Sequence, residues 1–217
     1  MTERRVKSRL RQLLVVLQET YPEVHCALHF TTPLELLIAT ILSAQCTDVR
    51  VNLVTPTLFQ KYRTAADYVA ADAEELARDI QSTGFYRQKA QTIQRCCQAL
   101  LEQHNGAVPD TMEALVRLPG VGRKTANVVL GNAFCRPAGI AVDTHVQRLV
   151  QRLRLTTATN PATIEQALLE LVPRQAWTLF SHLLIAHGRA ICKARVPQCA
   201  VCPVRHLCPA ASRQGTG

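Results

Sequence analysis

Aromatic side chains make up only 5% of this chain of 217 residues. That is too few to stack a run of unpaired bases, and it argues against a single-strand binder built on aromatic platforms. No apolar run approaches the roughly 20 residues needed to cross a bilayer, and the N-terminus lacks the apolar core of a signal peptide. The expectation is a cytoplasmic protein with no membrane partner. Acidic residues stop at Glu170, whereas Arg174, Arg189, Lys193, Arg195, Arg205 and Arg213 follow it. Alternation of apolar and polar residues over strand length is missing, as are internal repeats and low-complexity stretches. What remains is helical spacing, and the expected fold class is all-α.

The basic excess amounts to a net charge of +9. Such a surface suits a polyanion, because each phosphate neutralised releases condensed counterions. It also suits a merely solvated face, so charge favours nucleic acid without establishing it. Arg4, Arg5, Lys7, Arg9 and Arg11 read as the polar face of a helix running through Leu17, rather than as a targeting segment. With 47% hydrophobic residues the chain can bury one or two real cores, and nothing calls for an oligomer; a monomer is expected.

Nine cysteines without a secretory signal point to a reducing compartment and to metal, not to disulfides. Cys192, Cys199, Cys202 and Cys208 have the spacing C-x6-C-x2-C-x5-C. Four thiolates so close together suit a tetrahedral zinc ion or a four-iron, four-sulfur cluster. The long first gap departs from the paired knuckles usual for structural zinc, yet spacing alone leaves zinc a rival. Cys26, Cys46, Cys96, Cys97 and Cys135 have no ligand spacing and read as packing residues.

Leu34, Leu37, Ile38, Ile41 and Leu42 form one helical stripe; Ala90, Ile93, Cys97, Leu100 and Leu101 form another that ends near Gly106. Further helices are expected over 49–61, 73–80, 144–153, 162–171 and 177–191. A short one over 111–117 takes Asp110 as its N-cap, with Glu113 three residues on. Most informative is L-P-G-V-G-R-K-T-A at Leu118–Ala126. Gly120-Val121-Gly122 permits a tight hairpin in which a glycine takes positive φ, and it delivers the chain into a helix whose N-terminal amides favour an anion. A helix–hairpin–helix of this kind grips a DNA phosphate, although a lone glycine hairpin reads equally well as a helix corner. Lys124 in the first helical turn, and Asp143 nineteen residues later, sharpen it.

Together these segments resemble the endonuclease III family of the helix-hairpin-helix DNA glycosylase superfamily. The hairpin run and I-A-V-D-T-H at Ile140–His145 carry the resemblance. L-S-A-Q-C-T-D at Leu42–Asp48, G-F-Y-R-Q-K-A at Gly84–Ala90, L-L-E-Q-H-N-G at Leu100–Gly106 and the four C-terminal cysteines extend it, in order, over nearly the whole chain. It implies two helical lobes flanking a DNA-binding cleft: a six-helix barrel over 25–137 with the helix-hairpin-helix motif, and a discontinuous lobe of 1–24 plus 138–217. The second lobe would carry a 4Fe-4S cluster on Cys192, Cys199, Cys202 and Cys208, with Lys193 and Arg195 in the loop it holds against phosphate.

The implied activity is that of a bifunctional DNA glycosylase and abasic-site lyase in base-excision repair. It would remove oxidised pyrimidines of the thymine glycol type from double-stranded DNA in a prokaryotic cytoplasm, at the nucleoid. Lys124 is then the nucleophile. A helix N-terminus, the neighbouring Arg123 and partial desolvation all favour the free amine that attack on a sugar carbon needs. Asp143 stabilises positive charge at the sugar or moves protons, and its simpler role is to cap the helix that starts at Thr144. The target base must leave the stack. The resemblance assigns Gln45 and Phe85 to fill the gap; taken alone, they read as a helix-end polar residue and a core aromatic. Gly120, Val121, Gly122, His145 and Arg148 complete the expected DNA contacts.

Three departures stand out. Val116 occupies a place near the hairpin where relatives can carry glutamate, and Val196 and Gln198 occupy places in the cluster loop that can be basic. Alternatives remain. A monofunctional mismatch glycosylase of the same superfamily would lack Lys124 and carry a further C-terminal domain; an 8-oxoguanine glycosylase would lack the four cysteines. A non-enzymatic helix-hairpin-helix module would not require Lys124 and Asp143 together.

Overall fold

A computed structural model describes residues 3–211; Arg213 lies outside them. No strand occurs among the described residues, as the helical spacing requires. The chain divides into two compact units, one built from the chain up to His25 together with the chain from Gly139 onward, the other from Cys26–Ala138.

The first unit opens with α1 (Glu3–Thr20). Leu10, Leu13, Leu14 and Leu17 recur at helical spacing and are buried, leaving the basic positions on the opposite face. They pack with Val146, Leu149, Phe180, Leu183 and Leu184 from the distant C-terminal part of the chain.

The second unit runs through α2 (Pro33–Leu42), α3 (Asp48–Lys61), α4 (Ala65–Ala70), α5 (Ala73–Asp79), α6 (Tyr86–His104), α7 (Met112–Leu115) and α8 (Arg123–Ala133). A capping box between Thr32 and Glu35, with Pro33 in the first turn, starts α2. Leu36, Leu37, Ile38, Ala39, Ile41 and Leu42 are all buried, so α2 is enclosed nearly all round at the centre of this core. Along α6 the expected stripe is buried through Ala90, Ile93, Cys97 and Leu100, and the helix stops where Asn105 and Gly106 turn left-handed (φ 51° and 79°). Cys96 and Cys97 are fully enclosed. Burial pushes the Cys96 thiol up to about 12 and raises Cys97 as well, as expected of inert packing residues.

The expected helix over 111–117 is shorter than its pattern. Thr111, not Asp110, is the N-cap of α7 and accepts from the Ala114 amide at 3.4 Å. Asp110 instead pairs with Arg136, since a carboxylate one residue too early cannot reach the first-turn amides.

The first unit resumes with α9 (Thr144–Arg152), α10 (Pro161–Leu171) and α11 (Trp177–Ala190), followed by short 3-10 turns around the last cysteines. No described helix is long and apolar enough to cross a membrane.

Leu13 is 1% exposed in a core whose buried members outside α1 lie more than 120 residues away. Leu13→Ala is expected to lower unfolding stability by about 2–5 kcal/mol, read from urea denaturation. A loss under about 1 kcal/mol would show that α1 adds little to that core.

Candidate active site and cysteine centre

The hairpin belongs to the second unit. Gly120 has φ 77°, and a Cβ there would lie 2.2 Å from Thr92 Cγ2 on α6, so backbone conformation and close approach both demand glycine. Val121 is only 6% exposed and belongs to the core, with its amide donating to Leu118 O at 3.1 Å. Its side chain therefore anchors the hairpin, and only its backbone can face a ligand. Gly122 is the N-cap of α8 and supplies no side-chain cap, unlike the Ser, Thr, Asp or Asn that usually stands there. Lys124 stands exposed in the first turn of that helix; the desolvation expected of it is not a feature of the protein alone.

Gln45 and Phe85 also lie in the second unit, both in left-handed backbone conformation (φ 52° and 47°). Non-glycine residues seldom adopt it, and it costs about 1–2 kcal/mol each. Phe85 is 61% exposed, which excludes the reading of it as a core aromatic. Gln45 is exposed as well.

Asp143 belongs to the first unit. Its Oδ1 accepts from the Val146 amide at 2.7 Å, capping α9. One turn on, Arg148 donates through Nη2 to Gly188 O at 3.1 Å and meets His145 Nδ1 at 3.2 Å. Its Nε and Nη2 both reach Cys192 O, at 3.2 and 3.1 Å. A Cβ at Gly188 would lie 2.9 Å from the Arg148 guanidinium, so this glycine admits the contact. Much of the donor capacity of Arg148 is thus spent on the protein itself.

Arg152, which the sequence reading missed, ends α9 beside Cys192. Its guanidinium donates to Cys192 Sγ at 3.2 Å, Lys193 O at 2.7 Å and Ala194 O at 2.8 Å. Lys193 and Arg195 are exposed on the loop so held, which closes where Gln198 N donates to Ile191 O at 3.0 Å. The signal available was the i, i+4 arginine pair at the end of a short helix; its partners, some forty residues away, were not.

All four C-terminal cysteines line one cavity of ≈ 50 Å³. Among the described residues no three His, Cys, Asp or Glu side chains stand as ready ligands of a single metal ion; what the cysteines share is the enclosed space. His187, 2% exposed, also lines it. Burial drives its pKa down to about 4, so the ring is neutral. It lies between Tyr21 Oη at Nδ1 (3.0 Å) and Cys202 Sγ at Nε2 (3.4 Å). Its two ring nitrogens thus bridge the tyrosine hydroxyl and the Cys202 sulfur, one as donor and the other as acceptor. Four cysteine sulfurs lining one cavity, with the Arg152 guanidinium donating to one and the His187 ring beside another, fit a group ligated by four cysteines such as an iron–sulfur cluster.

A model of the HhH-GPD superfamily base excision DNA repair protein matches residues 38–174. An endonuclease III from Synechocystis is 53% identical over 205 residues, covering 94% of each chain. Among solved structures, a non-covalent endonuclease III–DNA complex is similar with a TM-score of 0.92 and 46% identity, over 99% of this chain and 98% of that one. A trapped endonuclease III–DNA covalent intermediate is similar with a TM-score of 0.90 and 45% identity, over 99% of both.

Gly120→Ala is expected to destabilise the protein beyond the roughly 1–2 kcal/mol of the left-handed backbone alone. Thr92→Ala, which removes the clashing methyl, should recover the excess. A thermal-unfolding double-mutant cycle checks this, and a coupling under about 0.5 kcal/mol would show that the steric contact has no weight.

Proposed function

The chain belongs to the HhH-GPD superfamily of base excision DNA repair proteins, and on that premise we propose how its residues divide the work. It is a bifunctional DNA glycosylase and abasic-site lyase that acts on double-stranded DNA; the damaged bases we assign to it are oxidised pyrimidines of the thymine glycol type. The hairpin Gly120-Val121-Gly122 and the N-terminus of α8 take a backbone phosphate. Lys193 and Arg195, with His145 and the donors left to Arg148, add phosphate or base contacts. Gln45 and Phe85 enter the duplex as the damaged nucleotide leaves it.

Lys124 is the nucleophile. Its amine forms a bond to C1′ while the glycosidic C1′–N bond breaks, and the departing base takes the electron pair and a proton. Opening of the sugar ring leaves an imine between Nζ and C1′. Loss of a C2′ proton then breaks the C3′–O bond, nicking the strand on the 3′ side of the lesion. The Asp143 carboxylate stabilises positive charge at the sugar and relays protons to and from the amine. Its capping bond through Oδ1 holds it rigidly. The observation that carries this reading is Lys124, solvent-exposed in the first turn of a helix whose N-cap, Gly122, supplies no side-chain cap.

Cys192, Cys199, Cys202 and Cys208 would hold a 4Fe-4S cluster. When bound, it supplies a cross-link that ties the 193–198 loop to the end of the chain. We place the protein in a prokaryotic cytoplasm, at the nucleoid: the relatives are bacterial, and the proposed substrate is chromosomal DNA.

Borohydride added to the protein on a duplex with one abasic site is expected to trap a covalent adduct, and Lys124→Gln is expected to abolish it. No adduct from protein that still binds the duplex would overturn the lyase assignment. Purified protein should contain about four irons per chain, and Cys199→Ser should lose both the iron and the visible absorption. Stoichiometric zinc instead would refute the cluster.

A further inference from the structure

The sequence of α6 has a lysine where its buried stripe begins. Lys89 is 5% exposed, among apolar neighbours at Ile93, Cys96 and Leu100 on the same face. Its Nζ donates to Leu42 O and to Thr83 O, each at 2.8 Å. Among the described residues no carboxylate pairs with it. Burial pulls its pKa below the ordinary lysine value, so the site disfavours the charge it holds. An apolar side chain would fill the same space without that penalty. What an apolar side chain cannot do is satisfy two buried carbonyls from a single atom.

Both carbonyls have a particular address. Leu42 is the last residue of α2, where helix carbonyls lack partners and the dipole favours a cation. Three residues beyond it is Gln45. Thr83 stands two residues before Phe85, and its own hydroxyl is pinned to Ile80 O at 2.8 Å. The two segments meet at the ammonium from opposite sides of the sequence, and each leads directly into an exposed side chain on a left-handed residue. Gly84, with φ 71°, makes the second turn sharper still.

Resting on the reading of Gln45 and Phe85 as the residues that enter the duplex, we propose that Lys89 is the positioning residue for base extrusion. Its ammonium ties the root of the Gln45 loop to the root of the Phe85 loop, so that the two side chains enter the duplex as one rigid pair. Lys89 itself touches neither DNA nor the reacting atoms. Without it the carbonyls part and the two left-handed turns relax independently.

The test compares cluster-loaded, full-length Lys89→Met with Gln45→Ala, Phe85→Ala and the unaltered protein. Excision of thymine glycol from a duplex requires extrusion. Borohydride trapping at an abasic site in an unpaired strand requires the Lys124 chemistry but no duplex to enter. Lys89→Met is expected to slow duplex excision by about 10- to 100-fold, while unpaired trapping changes by less than about threefold. A 2-aminopurine opposite the lesion, whose fluorescence rises when it is unstacked, should lose its response in the variant. A fall of both activities together would mark Lys89 as merely structural and overturn the proposal. So would an intact duplex excision in Lys89→Met when Gln45→Ala and Phe85→Ala are both impaired. Unimpaired excision by Gln45→Ala and Phe85→Ala would instead refute the duplex-entry reading, and with it this one.

Discussion

A guanidinium or ammonium set against several backbone carbonyl oxygens is the interaction on which the loops of this protein depend. Lys89 joins Leu42 and Thr83; Arg148 joins Gly188 and Cys192; Arg152 joins Lys193 and Ala194; Arg9 joins Leu207 and Arg154. A carbonyl accepts a charge-assisted bond without carrying a charge of its own. The cation therefore stiffens a turn while the surrounding surface stays positive, which suits a chain with 25 basic and 16 acidic residues that must meet phosphate. Carboxylates in these places would have neutralised the surface that the partner recognises.

Two helix N-termini show the same economy in opposite ways. At α9 the chain provides its own anion, and the Asp143 carboxylate receives the Val146 amide. At α8 the cap is Gly122, which offers no side-chain acceptor. The capped end keeps a carboxylate rigid, and the other is the end proposed to take a phosphate beside Lys124. The hairpin holds its shape from beneath: Val121 is sunk in the core, and Gly120 lies so close to Thr92 that no side chain fits.

The cysteines divide by environment rather than by number. Cys96 and Cys97 are enclosed by apolar neighbours that hold their thiols protonated. Cys192, Cys199, Cys202 and Cys208 line a single cavity, two of their sulfurs within hydrogen-bonding reach of Arg152 and His187. Arg152 lies on the same nine-residue helix that Asp143 caps. The helix thus connects the cysteine centre, the basic loop after it and the carboxylate proposed for catalysis, all within one unit.

By itself the sequence determined the helical fold class, the course of the main helices, the glycine hairpin and the grouping of four cysteines. Each of these follows from neighbours in the chain: a 3.6-residue period, a capping side chain three residues away, a glycine free to take positive φ. Even there a shift of one residue escaped it, since Thr111 rather than Asp110 reaches the amides of α7. Tertiary structure alone decided that Phe85 stands in solvent, that Lys89 is buried, and that Arg152 grips the cysteine loop. Lys89 meets a carbonyl 47 residues away and Arg152 one 41 away, and a backbone carbonyl is present at every residue. No local pattern marks which one a distant cation will find; only the packing of the helices brings the two together.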